Sequence, residues 1–245
     1  MKSAGAAKLI PERPSLPKLR QAVQLCRGCD LYRFATQAVF GEGPARASIL
    51  LIGEEPGNDE DLKGHPFVGP AGKLLDRALV DAGIQRSDIY VTNVIKHFKF
   101  EERGKRRLHK KPRASEIEAC RPWLDAELSL IKPQIIVCLG ATAAQALLGA
   151  AFRLTKHRGE FFPHAQAQSI IATVHPSSIL RAPDDRQRHA QYRDFVQDLI
   201  QIRKHLATLK RRPVTTAAQA PGGAALNRKR GLQPAKPPQF RQTGR

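Results

Sequence analysis

The sequence predicts an α/β fold: a single three-layer domain with a central, mostly parallel four-stranded sheet flanked by helices. Two observations carry this. Four short apolar runs stand apart along the chain, each suited to a strand buried on both faces. Between them lie apolar stripes at helical spacing, so strands and helices alternate. A third observation bounds the answer. The chain has no run of about 18 apolar residues, so no part of it is expected to span a membrane.

The elements follow in order. Leu19, Val23 and Cys26 recur at helical spacing, with Gly28 as a stop. Residues 48–53 form the first strand. Leu74, Leu75, Ala78 and Leu79 mark a helix that ends at Gly83, and residues 89–94 form the second strand. Ser115 and Glu118 make a capping-box pattern. It opens a helix with Ile117, Cys120, Leu124, Leu128 and Ile131 on one face, which Pro122 should kink or restart. Ile135–Leu139 is the third strand, and Gly140 leads into a helix over Ala141–Leu148. Residues 170–174 are the fourth strand. Tyr192, Phe195, Leu199, Ile202 and Leu206 form the stripe of a final long helix.

Charge sets the domain boundaries. The 245 residues hold 41 Lys and Arg against 22 Asp and Glu, a formal net charge of +19 that points to a polyanionic partner. The stretch after Thr208 has no acid and nine bases, and it is rich in Ala, Pro, Gly and Gln. Residues 208–245 therefore read as a disordered basic tail, serving either as a nucleic-acid-binding arm or as a solubilising extension. Residues 1–16 read as a flexible N-terminal segment and 17–207 as the folded domain; together they keep the other ten net charges. The start of the chain is too short and too weakly apolar for a signal peptide, and a cytoplasmic setting is expected, nucleoid-associated if the source is bacterial. The four cysteines are too few for a disulfide scaffold of this length.

Three of the predicted strands run directly into polar sequence: Gly53-Glu54-Glu55-Pro56-Gly57, Thr92-Asn93 and His175-Pro176-Ser177-Ser178. Ligands of open parallel sheets bind beyond the carboxyl ends of the strands, so these segments should meet in one crevice. Taken singly, each residue has a plain alternative. Phe67 suits the core, Asn93 a turn, Glu54 a helix N-terminus, and the His-Pro-Ser-Ser stretch a capped loop. In the stretch 105–111, six of seven residues are basic or His, which suits a solvated loop touching phosphates.

Together with His-Pro-Phe-Val-Gly-Pro-Ala-Gly at 65–72 and Tyr-Val-Thr-Asn at 90–93, these motifs resemble the uracil-DNA glycosylase superfamily. The likeness is to its iron–sulfur family 4 class, and Lys105-Arg106-Arg107-Leu108-His109 is similar to the extra loop of the UdgX proteins. It spans roughly residues 19–206. The resemblance implies excision of a flipped uracil from DNA, preferably single-stranded. It implies that Phe67 stacks on the base and that Asn93 reads its imide edge. His175 would donate to the developing charge on a uracil oxygen, and Glu54 would stabilise the sugar cation or orient an attacking group. A bond from His109 to the abasic sugar is implied by the UdgX likeness. Lys105, Arg106, Arg107, Lys110 and Lys111 would hold phosphates around it, with Ser177, Ser178 and Arg181 as further DNA contacts. Glu55 departs from the pattern. UdgX proteins have Gln there and ordinary family 4 members a small residue, so Glu55 bears on the balance between attack by water and attack by the protein.

Cys26-x-x-Cys29, Cys120 and Cys138 allow a four-cysteine cluster or a zinc site. Cys138, however, lies inside an apolar strand, where a cysteine serves as a small hydrophobe. The family 4 resemblance implies ligands at Cys26, Cys29, His97 and Cys120 for a [4Fe–4S] cluster, with His97 where ordinary members have Cys. Three functions remain in view. They are a uracil-excising enzyme that traps itself on its product, a hydrolytic glycosylase that turns over, and a non-enzymatic DNA-binding module stapled by a metal. A monomer suffices for each.

Overall fold

The structure is a computed structural model that describes residues 5–104 and 106–210. Its central sheet has the strand order β2-β1-β5-β7-β6, with β1 at Ile49–Gly53, β2 at Ile89–Asn93, β5 at Ile135–Leu139, β6 at Phe161–His164 and β7 at Ala167–Thr173. The first four are parallel, pairing Ile49 with Ile89, Ile49 with Ile135 and Ile135 with Ser169. The expected four strands are present, and β6 adds a fifth at the edge, antiparallel to β7. Its Phe-Phe-Pro-His sequence hid it: Pro disfavours a strand except at an edge.

Alternation along the strands sends residues to two faces. Leu51, Val91, Val137 and Ile171 pack under α3 (Pro70–Asp81) and α8 (Asp185–Lys210), meeting Leu75, Leu79, Phe195, Leu199 and Ile202. Leu50, Ile52, Ile136 and Ile170 face α4 (Ala114–Ile131) and α5 (Ala141–Leu148), meeting Leu124, Leu128, Ala143 and Ala144. Helix α4 is continuous through Pro122, so the expected restart does not occur. Its capping acid also differs: Glu116 Oε2 accepts from the Arg113 N–H at 2.6 Å, two residues earlier than the Ser115–Glu118 pattern.

A third cluster lies beside this sheet. Leu19 and Val23 of α1 (Leu16–Val23) pack with Phe40, Ile95, Trp123, Cys26 and Cys120. The helix stops short of Cys26. Part of the N-terminal segment 1–16 is packed here: Ala6 is buried, donates to Ala119 O at 2.9 Å, and brings Leu9 and Ile10 onto the same cluster. Short helices α2 (Asn58–Lys63), α6 (Leu154–His157) and α7 (Pro176–Leu180) lie in the connections. The loop read as 105–111 is mostly a hairpin, β3 (Phe100–Arg103) with β4 (Arg106–His109). Residues 1–4, Lys105 and the tail beyond Lys210 lie outside the described residues, so the basic-arm reading falls there too.

One polar network sits inside this apolar frame. Lys96 is fully buried, and its Nζ donates to Glu127 Oε2 at 2.5 Å, Thr92 Oγ1 at 2.6 Å and Asn93 O at 2.8 Å. Those are all three donors of an ammonium. Glu127 Oε1 in turn accepts from Tyr90 Oη at 2.9 Å and Gly41 N at 3.1 Å. Burial, then the Glu127 charge, pushes the Tyr90 phenol well above its ordinary range. Removing one member of a buried pair strands the other charge, which costs about 3–5 kcal/mol. Lys96→Ala is therefore expected to lose about that much in urea unfolding, whereas Arg188→Ala, which breaks the exposed Arg188–Asp185 pair, should lose under about 1 kcal/mol.

Candidate active site

The carboxyl ends of the parallel strands open into a cleft of about 1030 Å³. Glu54, Glu55, Phe67, Asn93, His109, Lys111, His175, Ser177, Ser178 and Arg181 all line it, so the three expected segments do meet. The fourth strand end lines it as well, through Leu139, Gly140, Ala141 and Thr142. Applying the strand-end rule to β5 would have found these residues from the sequence.

Asn93 is the last residue of β2, buried to 3 % exposure, and its backbone oxygen is held by Lys96. Its amide has no hydrogen-bond partner among the described residues, which leaves both a donor and an acceptor for a ligand. Phe67 stands next to it. A Cβ at Gly53 would fall 2.3 Å from Asn93 Oδ1 and 2.9 Å from Phe67 Cζ, so only a residue without a side chain lets the amide and ring approach. Phe67 has φ 58°, a left-handed conformation that costs a non-glycine residue about 1–2 kcal/mol. The fold enforces it. Helix α3 packs so closely on the Phe67 carbonyl that a Cβ at Gly72 would lie 1.7 Å from it. Glu60 fastens the same loop at both ends, accepting from Gly57 N at 3.0 Å and Gly69 N at 2.8 Å.

His175 caps α7. Its Nδ1 accepts the Ser177 N–H at 3.2 Å, which assigns the proton of the neutral ring to Nε2. Burial pushes this imidazole down to about 4, with Arg181 and His109 adding to the fall. The ring is thus neutral at physiological pH and has an Nε2–H to donate. Ser178 Oγ donates to His175 O at 2.7 Å, and Ser177 Oγ lies 2.8 Å from Nδ1, so both serines brace the histidine. The Phe67 and His175 rings lie 6.1 Å apart, centroid to centroid.

The hairpin brings His109 to this cleft from the other side. His109 Nε2 lies 3.1 Å from Glu55 Oε1 and 3.4 Å from Glu54 Oε1. Burial lowers its pKa from the ordinary value, Glu54 opposes that, and Arg181 reinforces it. Burial, then the Glu54 charge, pushes the Glu55 carboxyl up to about 10, against the Lys99 backbone N–H. The basic residues of the loop divide. Arg106, Lys110 and Lys111 are exposed, and Lys110 pairs with Glu101. Arg107 turns inward instead, bonding Asp61 at 2.7 Å and Asn58 at 2.8 Å and lying 4.9 Å from the Phe100 ring centroid. This pairing makes Arg107 the anchor of the hairpin, because Asp61 is fully buried and needs a cation. Asp61 gave no signal of this in sequence; the structure places it in the first turn of α2. Asp61 also accepts from Thr36 N at 2.9 Å and Thr36 Oγ1 at 2.6 Å.

The cysteines lie apart from the cleft. Cys26 Sγ accepts from Trp123 Nε1 at 3.2 Å and Cys120 Sγ from Lys96 N at 3.3 Å. Burial pushes the Cys120 thiol up to about 12, Lys96 opposes this, and Cys29 and Cys26 are near enough to add to it. Cys138 is buried in β5 among apolar neighbours, as its strand position implied. His97 is buried and pushed down to about 4 by that burial, with Asp61 as the charged neighbour that opposes it. Among the described residues, no three His, Cys, Asp or Glu side chains converge as a single metal ion requires. A four-iron cubane makes a different demand, since each ligand binds a separate iron. Two buried thiols, Cys26 and Cys120, each with an N–H donor at its sulfur, and the half-buried Cys29 fit that demand.

Comparison with known proteins agrees with this geometry. Residues 40–200 match the family described as the Uracil DNA glycosylase superfamily. The chain is 36 % identical over 182 residues to the type-4 uracil-DNA glycosylase of Archaeoglobus fulgidus, covering 71 % of this chain and 88 % of that protein. It is 36 % identical over 176 residues to the type-4 uracil-DNA glycosylase of Thermotoga maritima, with 71 % and 88 % covered. A type-5 uracil-DNA glycosylase of Thermus thermophilus is 30 % identical over 159 residues, 57 % of this chain and 68 % of that protein. With cleft, strand order and sequence in agreement, the chain belongs to the uracil DNA glycosylase superfamily.

Proposed function

We propose that the protein excises uracil from DNA by hydrolysis and turns over. The observation that carries this is the joint placement of Phe67, Asn93, His175 and Glu54 around one cleft at the strand ends. In this reading a flipped uracil stacks on Phe67, and the Asn93 amide pairs with its imide edge. His175 Nε2–H donates to the uracil oxygen as the glycosidic bond breaks, and Glu54 faces the sugar cation and orients water. Arg106, Lys110, Lys111 and Arg181 meet the phosphates. Single-stranded uracil-containing DNA is the preferred partner, and the protein acts as a monomer in the cytoplasm. The type-4 relatives support turnover better than self-trapping.

One observation favours a second reading, in which His109 becomes bonded to the abasic sugar. Its imidazole is neutral in direction of shift and sits on the same cleft within 3.1 Å of Glu55. Denaturing gels of uracil-containing single-stranded DNA separate the readings. Multiple turnovers to free abasic DNA are expected, with His109→Ala retaining uracil release. A band that survives SDS and heat and disappears in His109→Ala supports the second reading. Intact uracil leaves the non-enzymatic DNA-binding module.

For the cysteine group we propose a [4Fe–4S] cluster held by Cys26, Cys29, Cys120 and His97. When bound, it staples the segment after α1 to α4 and supplies no step at the cleft. Brown protein with a broad visible absorbance is expected. Cys26→Ala and Cys120→Ala should lose the absorbance and Cys138→Ala keep it. Loss in Cys138→Ala with retention in His97→Ala reverses the assignment.

A further inference from the structure

We propose that Glu55 masks the nucleophilic nitrogen of His109: its carboxyl group donates a hydrogen bond to Nε2, so water captures the sugar rather than the imidazole. The inference rests on the uracil-excising reading of the cleft. It starts from an arrangement that reading does not use, two carboxyl groups on one imidazole edge. Glu55 Oε1 is the nearer at 3.1 Å, and the Glu55 side chain is fully buried. The same oxygen accepts the Lys99 backbone N–H at 3.3 Å, while Oε2 is buried with no hydrogen-bond partner.

An ionised carboxylate here would be poorly served. Apart from the His109 ring itself, it would have one backbone N–H, an orphaned oxygen, and the Glu54 charge beside it, with Glu116 of α4 adding to the repulsion and Lys99 opposing. Protonation removes most of that cost. From the other elements, Arg181 beyond α7 faces His109 and disfavours an imidazolium, and the neutral His175 ring lies beyond it. Lys111 after β4 lines the same cleft. The pair is thus a neutral acid against a neutral imidazole. At 3.1 Å the only donor-to-acceptor arrangement in which the acid uses its proton is O–H to Nε2, which puts the ring proton on Nδ1. Shifts of both groups run in the direction this requires.

The consequence concerns which atom reaches the anomeric carbon. In capture by His109, the Nε2 lone pair forms the bond to C1′ and the C1′–N1 pair leaves with uracil as its anion. The Nδ1 proton then passes to that anion or to solvent, leaving a neutral substituted imidazole. In capture by water, the oxygen forms the bond to C1′ and one water proton passes by way of Glu54 to the uracil anion. The first route must break the hydrogen bond from Glu55, and the second need not. Glu55 is in this sense a positioning residue that acts through His109.

The test is the partition between SDS-stable adduct and free abasic product on uracil-containing single-stranded DNA. Loss of one hydrogen bond, about 1.4 kcal/mol, corresponds to about tenfold. Glu55→Ala is expected to raise the ratio of adduct to free product about tenfold. The Glu55→Ala/His109→Ala double variant should abolish the adduct. Glu55→Gln, whose amide N–H is a weaker donor than a carboxylic acid, should also raise the ratio, and an unchanged partition in it counts against the mask. Uracil release with an unchanged partition in Glu55→Ala overturns the masking alone. Intact uracil with the wild-type protein overturns the excision reading and the masking with it. Nitrogen-15 NMR of the wild-type histidines reads the mask without any variant: His109 as the Nδ1–H tautomer supports it, and the Nε2–H tautomer overturns it.

Discussion

The buried contact between Lys96 and Glu127 holds the site in place. Both side chains are completely shielded from water, a costly arrangement unless every donor and acceptor is matched. Here the ammonium has three acceptors, and the carboxylate collects donors from β2 and from Gly41. The contact fastens the end of β2 to the middle of α4. The chain beyond β2 is then committed. Val94 N bonds Gly53 O at 3.0 Å, Ile95 N bonds Glu54 O at 3.0 Å, and Lys99 N reaches Glu55. Lys96 N also donates to Cys120 Sγ. One ammonium therefore registers the Asn93 amide, the two-glutamate loop and the cysteine group against each other.

The apolar part of the fold was legible because it is periodic. Strand runs such as Ile135–Leu139 and the stripe from Tyr192 to Leu206 announce themselves by spacing, and the structure has both. The strand-end rule likewise brings Glu54, Asn93 and His175 to one crevice from sequence alone. What escaped was polar and non-local. Lys96 reads as an ordinary charge in sequence, and nothing local says that Glu127, 31 positions later, meets it. Arg107 lies in a run of bases that composition assigns to phosphates, yet a buried acid 46 residues earlier turns it inward. The cap at Glu116 rather than Glu118 is a smaller case, decided by where the preceding segment enters α4.

Asp61 is the second node. It accepts from Thr36, seven residues past Cys29, and from Arg107 on the His109 hairpin. A two-stranded hairpin has little stability of its own in water. The β3–β4 pair is held by this carboxylate and by the Arg107 guanidinium over Phe98 and Phe100. Positive charge in the loop is thus divided between building the hairpin and facing outward.

The left-handed backbone at Phe67 has a thermodynamic meaning for whatever enters the cleft. A loop aromatic would ordinarily surrender rotational freedom at the moment of contact, and that loss would be subtracted from affinity. At Phe67 the freedom is already gone, removed during folding by the helix packed on its carbonyl and by the glycine beneath its ring. A planar ligand stacked there, as proposed, would meet a rigid face, and its stacking energy would not be diminished by ordering the protein.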